Sequence, residues 1–252
     1  MKKIVILFTT HILNEYVHQQ YQKLYNDLAT YADVICLLQT DTPLSIPSDM
    51  NYYSFTIDSL NMLGYESYAE TIVPGSNHFP LLQFYRDNPT YDYYWNIEFD
   101  VQFTGNWNLF FSFFEGYKED FISSHIEFFH ENPGWDHWNA MTLKSIYIPT
   151  ECYIKSFNPI YRISNKALNF LSEFLLYNYG HHELLMPTVL YANNFSLLDF
   201  GGDGSFALPS DKSFYTSFHY DNCPQTSTMR YRPLYQKKDM IIPNKLYHPV
   251  KS

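Results

Sequence analysis

Two short apolar runs set the architecture. "KKIVILF" (Lys2–Phe8) and "DVICLLQT" (Asp33–Thr40) are rich in Ile, Val and Leu and show no polar alternation, the pattern of strands buried on both faces. Between them, "NEYVHQQYQKLYNDLATY" (Asn14–Tyr31) places Tyr16/Val17, Tyr21, Leu24/Tyr25 and Leu28 at helical spacing. Strand, helix and strand in this order form a βαβ unit with a right-handed crossover. The expected fold is therefore α/β: a Rossmann-like domain with a mixed, mostly parallel central sheet flanked by helices. Ligands of such sheets bind outside the carboxyl ends of the strands. Thr9, Thr10, His11 and Asp41, which close the two runs, are expected at that edge. Neither GxGxxG nor GxxxxGK(S/T) follows the first run, which argues against dinucleotide and P-loop binding.

Residues 42–80 read as irregular, with Pro43, Pro47, Pro74 and Pro80. "FPLLQFYRDNP" (Phe79–Pro89) reads as a helix stopped by Asn88–Pro89, and "YDYYWNIEFDV" (Tyr91–Val101) as a buried strand. A turn and apolar helix (Thr104–Tyr117), a strand (Asp120–Phe129) and a polar–aromatic loop, "HENPGWDHWN" (His130–Asn139), follow. Then "SFNPIYRIS" leads into the helix "NKALNFLSEFLLYNYG", with Gly180 as its expected stop. A second helix, "HHELLMPTVLYANN", precedes the strand "FSLLDFGG". No linker or repeat interrupts the 252 residues, so one domain is expected.

The net charge of −10 is unevenly spread. From Arg230 to Ser252 there are six basic residues and one acid, leaving this tail at +5 and the rest at −15. An acidic body excludes general nucleic-acid binding. A basic tail on it suits a small anionic ligand or an anionic surface, and Arg230, Arg232, His248 and Lys251 are the candidate anion contacts, since arginine forks match phosphate. Three scattered cysteines, Cys36, Cys152 and Cys223, imply neither a disulfide framework nor a zinc site and fit a reducing cytoplasm.

The strand "YYWNIEFD" poses the sharpest question, because it carries Glu98 and Asp100 in an otherwise apolar run. Burying an unpaired carboxylate costs several kcal/mol, roughly, unless a cation or donor meets it. On a strand, residues two apart share a face, so both carboxylates are expected to point one way and Phe99 the other. Such a pair is a hard-oxygen site suited to Mg²⁺ or Mn²⁺ shared with phosphates; the plainer alternative is a pair of edge carboxylates capping backbone groups. His248 is a candidate third ligand. Arg86, just before this strand, pairs with Asp92 or contacts the ligand.

From here the sequence resembles a family. "FYRDNPTYDYYWNIEFDVQFTGNW" is similar to the central segment of GT-A-fold glycosyltransferases, in which a helix leads into a strand ending in a D-x-D-type motif that holds a divalent ion against a nucleotide-sugar diphosphate. Glu98 and Asp100 occupy the outer positions, with Glu in place of the first Asp. "NPIYRISNKALNFL" resembles the helix after the acceptor loop, and "GHHELLMPTVL" the acidic segment that supplies the base in inverting members. "LYHPVK" resembles a C-terminal His/Lys segment that closes over the diphosphate. The resemblance runs at pattern level over most of the chain. It implies that residues 1–105 form the nucleotide-sugar half and 106–252 the acceptor half with its tail. Thr9, Thr10, His11, Asp41, Arg86, Glu98, Arg230, Arg232 and Lys251 would contact the donor. Glu98, Asp100 and His248 would hold Mg²⁺ or Mn²⁺. Glu183 would be the catalytic base, with Asp136 of the aromatic loop as runner-up. The family also implies a carbohydrate or lipid-linked glycan acceptor, surface-polysaccharide synthesis, and a cytoplasmic enzyme able to touch the inner face of the membrane. A non-catalytic carbohydrate-binding protein of the same fold is the alternative. A metal-dependent hydrolase would use the same carboxylates but lacks a dense His/Asp cluster.

Overall fold

The computed structural model describes residues 3–209, 212–217 and 227–251; Met1, Lys2, Cys223 and Ser252 lie outside the described residues. The first run becomes β1 (Ile4–Thr10), followed by α1 (Glu15–Leu28), β2 (Asp33–Gln39), β3 (Tyr52–Phe55), α2 (Ile57–Asn61), α3 (Phe79–Asp87) and β4 (Tyr93–Glu98). Next come β5 (Gln102–Phe103), α4 (Trp107–Phe113), β6 (Phe121–Phe128), β7 (Met141–Thr142), β8 (Ile154–Ser164) and α5 (Asn165–Phe174). The chain closes with β9 (Tyr179–Gly180), α6 (His182–Ala192), β10 (Leu197–Asp199) and β11 (Leu246–Tyr247).

Seven strands form one sheet in the order β10-β6-β8-β4-β1-β2-β3. β8 runs antiparallel to both its neighbours, β4 and β6, while the other pairings are parallel. The sheet is thus mixed and mostly parallel, with helices on both faces. Successive residues of β1 serve opposite cores: Ile4, Ile6 and Phe8 pack with α1 and α4, Val5 and Leu7 with α3, α5 and α6. That double burial is why the run shows no polar alternation. Asn14 starts α1 by accepting the Val17 N–H at 2.9 Å, a cap worth about 1 kcal/mol.

Much of the aromatic excess is core. Trp95, Phe110, Phe111 and Phe114 pack edge-on with ring centroids 5.0–5.6 Å apart. Beside them Arg162 is buried, with no carboxylate paired to it among the described residues. It donates to the carbonyls of Phe114, Tyr117 and Glu119 at 3.0–3.1 Å and lies over the Tyr93 ring. Burial pulls its pKa down to about 10, so it remains a cation.

Two sequence expectations change, and one stretch that the sequence left unassigned gains an element. The irregular stretch 42–80 contains β3 and α2, elements too short to leave a periodic signature. Gly180 does not stop α5, which ends at Phe174 with Leu175 as its C-cap; it lies in β9, where a side chain would meet the Ala140 carbonyl at 2.8 Å. And "SFNPIYRIS" belongs to an eleven-residue strand, β8, despite Pro159. The register against β6 shifts there, between Ser124↔Phe157 and Ile122↔Arg162, so Pro159 falls where a ladder bond is absent anyway. No described helix is long and apolar enough to cross a membrane.

Candidate active site

The carboxyl ends of β1, β2, β3 and β4 open into a cleft of about 200 Å³ lined by Thr9, Thr10, His11, Gln39, Asn77, Asn96, Glu98, Phe99, Asp100 and Lys251 among others. Parallel strands end together on one edge, which is why residues far apart in sequence meet there. Thr9 Oγ1 donates to Asn96 Oδ1 at 2.6 Å across the β1–β4 pair, and His11 sets its ring edge-on to Phe99 at 5.3 Å.

Glu98 is the last residue of β4, and Asp100 lies in the turn beyond it. The expectation that strand pleating alone aligns the two is therefore corrected. The Val101 N–H donates to the Glu98 carbonyl at 3.0 Å, and this tight turn swings Asp100 back toward Glu98. Phe99 packs into the core on the α1 and α4 face, the layer expected of it, and also lines the cleft.

His248 meets them from the other end of the chain. Glu98, Asp100 and His248 each present one ligand atom within 4.8 Å of the others, the only such three-residue group of metal-ligating type among the described residues. His248 Nε2 lies 3.5 Å from Asp100 Oδ1 and 3.8 Å from Glu98 Oε2. At 3.5 Å the first contact is too long for a well-formed hydrogen bond, and among the described residues the buried Asp100 Oδ1 has no hydrogen-bond partner. His248 Nδ1 is 2.8 Å from the Arg230 carbonyl, which can only accept. Nδ1 therefore carries the proton, and a neutral ring turns the Nε2 lone pair to the carboxylates. The backbone fixes this pose: the Val250 N–H donates to the Asp100 carbonyl at 2.8 Å, and β11 pairs with β5.

The electrostatics fit a cation-binding pocket. Burial pushes the Glu98 carboxyl up, with His248 opposing. Burial also pushes Asp100 up, but His248 outweighs it and the net direction is down. Burial would depress His248, yet the two carboxylates hold it above its ordinary value. Two oxygen donors, one of them on a carboxylate with a buried atom lacking a partner among the described residues, and one nitrogen donor fit a hard divalent cation such as Mg²⁺ or Mn²⁺.

Asn77 was not foreseen. Its Nδ2 donates to Glu98 Oε1 at 3.1 Å while its Oδ1 is buried without a partner. It stands at the end of a loop cinched to α6: the His182 N–H donates to the Gly75 carbonyl at 2.8 Å, and the His78 and His182 rings stack at 5.8 Å. Gly75 has φ +99°, and a Cβ there would meet Tyr68 at 2.5 Å, so the turn needs glycine. Twenty-one residues separate Asn77 from Glu98, and no local pattern links them.

Glu183 occupies the first turn of α6, capped by His181. Its Oε1 accepts the Asn158 N–H at 3.1 Å, and His181 Nδ1 is 3.9 Å from Oε2. Burial pushes this carboxyl up to about 7, the Asn158 bond and Lys155 opposing and Glu98 reinforcing.

The other candidates separate. Lys251 lines the cleft. Asp41 stands just behind it, accepting from Gln39 Nε2 and the Ile57 N–H. Arg86 is exposed on α3 and does not line the cleft. Arg230 stacks on Tyr235 at 3.6 Å and reaches the site through its carbonyl; Arg232 is exposed over Tyr231. In the aromatic loop Asp136 is exposed, Trp138 is buried with Nε1 donating to the Asn132 carbonyl, and Trp135 is half-buried.

A family described as "Protein of unknown function (DUF3405)" matches residues 51–120, which include Asn77, Glu98 and Asp100. No curated protein matches the chain. Among solved structures, the chain is similar to a protein from Bacillus anthracis assigned as a glucose-1-phosphate thymidylyltransferase, in complex with sucrose (12% identity, 80% of this chain and 87% of that one, TM-score 0.46). It is also similar to S. aureus TarS 1-349 in complex with UDP-GlcNAc (10%, 82% and 58%, 0.42). A third is mouse xyloside xylosyltransferase 1 (9%, 79% and 85%, 0.39). At 9–12% identity these likenesses assign no activity to this chain.

Proposed function

We propose that this chain is a metal-dependent glycosyltransferase of the GT-A type, moving a sugar from a nucleotide-diphosphate donor to a hydroxyl acceptor with inversion. The observation that carries the reading is the convergence of Glu98, Asp100 and His248 beside the strand-end cleft, with the Asp100 oxygen left unpartnered. Residues 1–105 form the donor half. Thr9, Thr10 and His11 line the nucleotide's place, with Asp41 fixing Gln39 from behind. Residues 106–252 form the acceptor half, and their tail returns Lys251 to the donor as a point charge for the diphosphate.

Glu98, Asp100 and His248 would hold Mg²⁺ or Mn²⁺, which supplies Lewis-acid neutralisation of charge on the departing diphosphate. Glu183 takes the proton of the acceptor hydroxyl at Oε2, because Oε1 is committed to Asn158. A carboxyl raised to about 7 is matched to that work near neutral pH.

A thermal-shift screen of nucleoside diphosphates and nucleotide sugars, with and without Mn²⁺, tests this reading, since a ligand that binds only the folded state raises Tm. A metal-dependent rise with one nucleotide, lost in the Glu98→Ala/Asp100→Ala variant, is expected. No rise with any nucleotide would leave a carbohydrate-binding module whose carboxylates are structural.

A further inference from the structure

The donor and acceptor halves of the proposed site meet where the turn at residues 75–78 touches the start of α6. On the donor side Asn77 donates to Glu98 Oε1 at 3.1 Å, and His78 follows it as the residue before α3. On the acceptor side His181 caps α6, and His182 and Glu183 are its first two residues. The His182 N–H donates to the Gly75 carbonyl at 2.8 Å. The His78 and His182 rings lie within 9° of parallel with centroids 5.8 Å apart, the separation of an offset stack. Tyr68, from the same loop, sets its ring edge-on to His181 at 5.6 Å. Both stacked imidazoles are buried. Burial, reinforced by His181, holds both below the ordinary histidine range, so neither is charged at neutral pH and their faces do not repel. Glu183 is held from its other side, where Oε1 accepts the Asn158 N–H. Each ring of the stack is thus the chain neighbour of a residue at the site, His78 of Asn77 and His182 of Glu183.

On the reading of Glu98 as a metal ligand and Glu183 as the base, we propose that His78 and His182 are positioning residues that tie the place of Glu183 to the occupancy of the cation site. A divalent ion that draws Glu98 toward Asp100 and His248 pulls on Asn77. The turn and the first turn of α6 follow, because the stacked rings and the Gly75 bond move as one piece. Coupling of this kind is carried by packed side chains and backbone hydrogen bonds in unbroken contact.

The test is titration of the full chain with Mg²⁺, a diamagnetic ion, following the histidine ring signals and the Glu183 backbone amide by NMR. Signals of His248, His78, His182 and Glu183 should shift with one half-saturation point. At saturating Mg²⁺, Asn77→Ala should keep the His248 shift and lose the other three. His182 is not one of the three candidate ligands, yet His182→Ala should weaken Mg²⁺ binding about tenfold, the loss expected of an outer-shell partner. His182→Phe, which keeps a ring in the stack, should bind Mg²⁺ as the wild type does. A His248 shift with the other three signals unmoved, shifts that survive in Asn77→Ala, or a His182→Ala protein that melts lower but binds Mg²⁺ unchanged would overturn the proposal and leave the metal site standing. If no signal moves at any Mg²⁺ concentration, the proposal falls together with the reading of Glu98 as a ligand.

Discussion

Asp100 and Asp199 are both buried aspartates on one side of the same sheet, and they live in opposite conditions. Asp199, at the end of β10, accepts from the Ile126 N–H at 2.7 Å, the Gly201 N–H at 3.0 Å and the Tyr215 hydroxyl at 3.0 Å. Burial still raises its pKa well above the ordinary value, those donors opposing. Asp100 has a single imidazole at 3.5 Å and an oxygen with no partner. A saturated carboxylate ties the β6 bulge to the loop after β10; an unsaturated one has the room that the proposed cation would fill. Burial and residue type do not separate the two roles, but the tally of donors does.

The largest expected contrast follows directly. Asp199→Ala strands two N–H groups and a hydroxyl and should cost on the order of 3–5 kcal/mol in denaturant unfolding. Asp100→Ala should stay within about 1 kcal/mol without metal, yet lose the Mn²⁺-dependent rise in Tm. Equal destabilisation by both would make Asp100 structural too.

Glu183, the proposed base, sharpens the comparison as a largely buried carboxylate with one oxygen hydrogen-bonded. Glu183→Gln should lower turnover by about 10²–10⁴-fold, and the wild-type rate should fall as pH drops through about 7. Stability should move the opposite way. The folded pKa is raised from 4.5 to about 7, so the stabilisation is full below the unfolded value and lost as pH rises through the folded one. Charging the buried group costs up to about 3 kcal/mol at alkaline pH. Glu183→Gln should therefore be the more stable protein there, and a variant no more stable than wild type in alkaline denaturant titrations would contradict the assignment.

The smallest effect belongs to Asn77. Glutamate is one methylene longer than aspartate, and Asn77 holds the extra reach of Glu98 in place. Asn77→Ala should weaken Mn²⁺ affinity by about 10–100-fold, the usual loss for an outer-shell partner, read by calorimetric titration. Unchanged affinity would mean that Glu98 is positioned by β4 alone.

The legible part of the molecule was the part with local causes. The βαβ opening could be read because both strands are buried on both faces, and the apolar setting of Glu98 and Asp100 marked them as costly. His248 could be named from its place in "LYHPVK", although its bond to the Arg230 carbonyl could not. What stayed hidden depends on tertiary contacts. The turn that bends Asp100 back, the Asn77 clamp and the β6–β8 register shift that accommodates Pro159 each join residues with no shared periodicity. β3 and α2 were lost among prolines because four or five residues are too few to show a period.

The Val250-to-Asp100 bond closes the longest loop in the candidate centre, and its position along the chain has a biosynthetic consequence. A polypeptide emerging from the ribosome can pair β1, β2 and β4 and shape the cleft early. It cannot gather the full set of three ligands until residue 248 has been released. On the proposed reading, metal capture would wait until residue 248 has emerged, and a chain interrupted before it would carry the cleft without its third ligand.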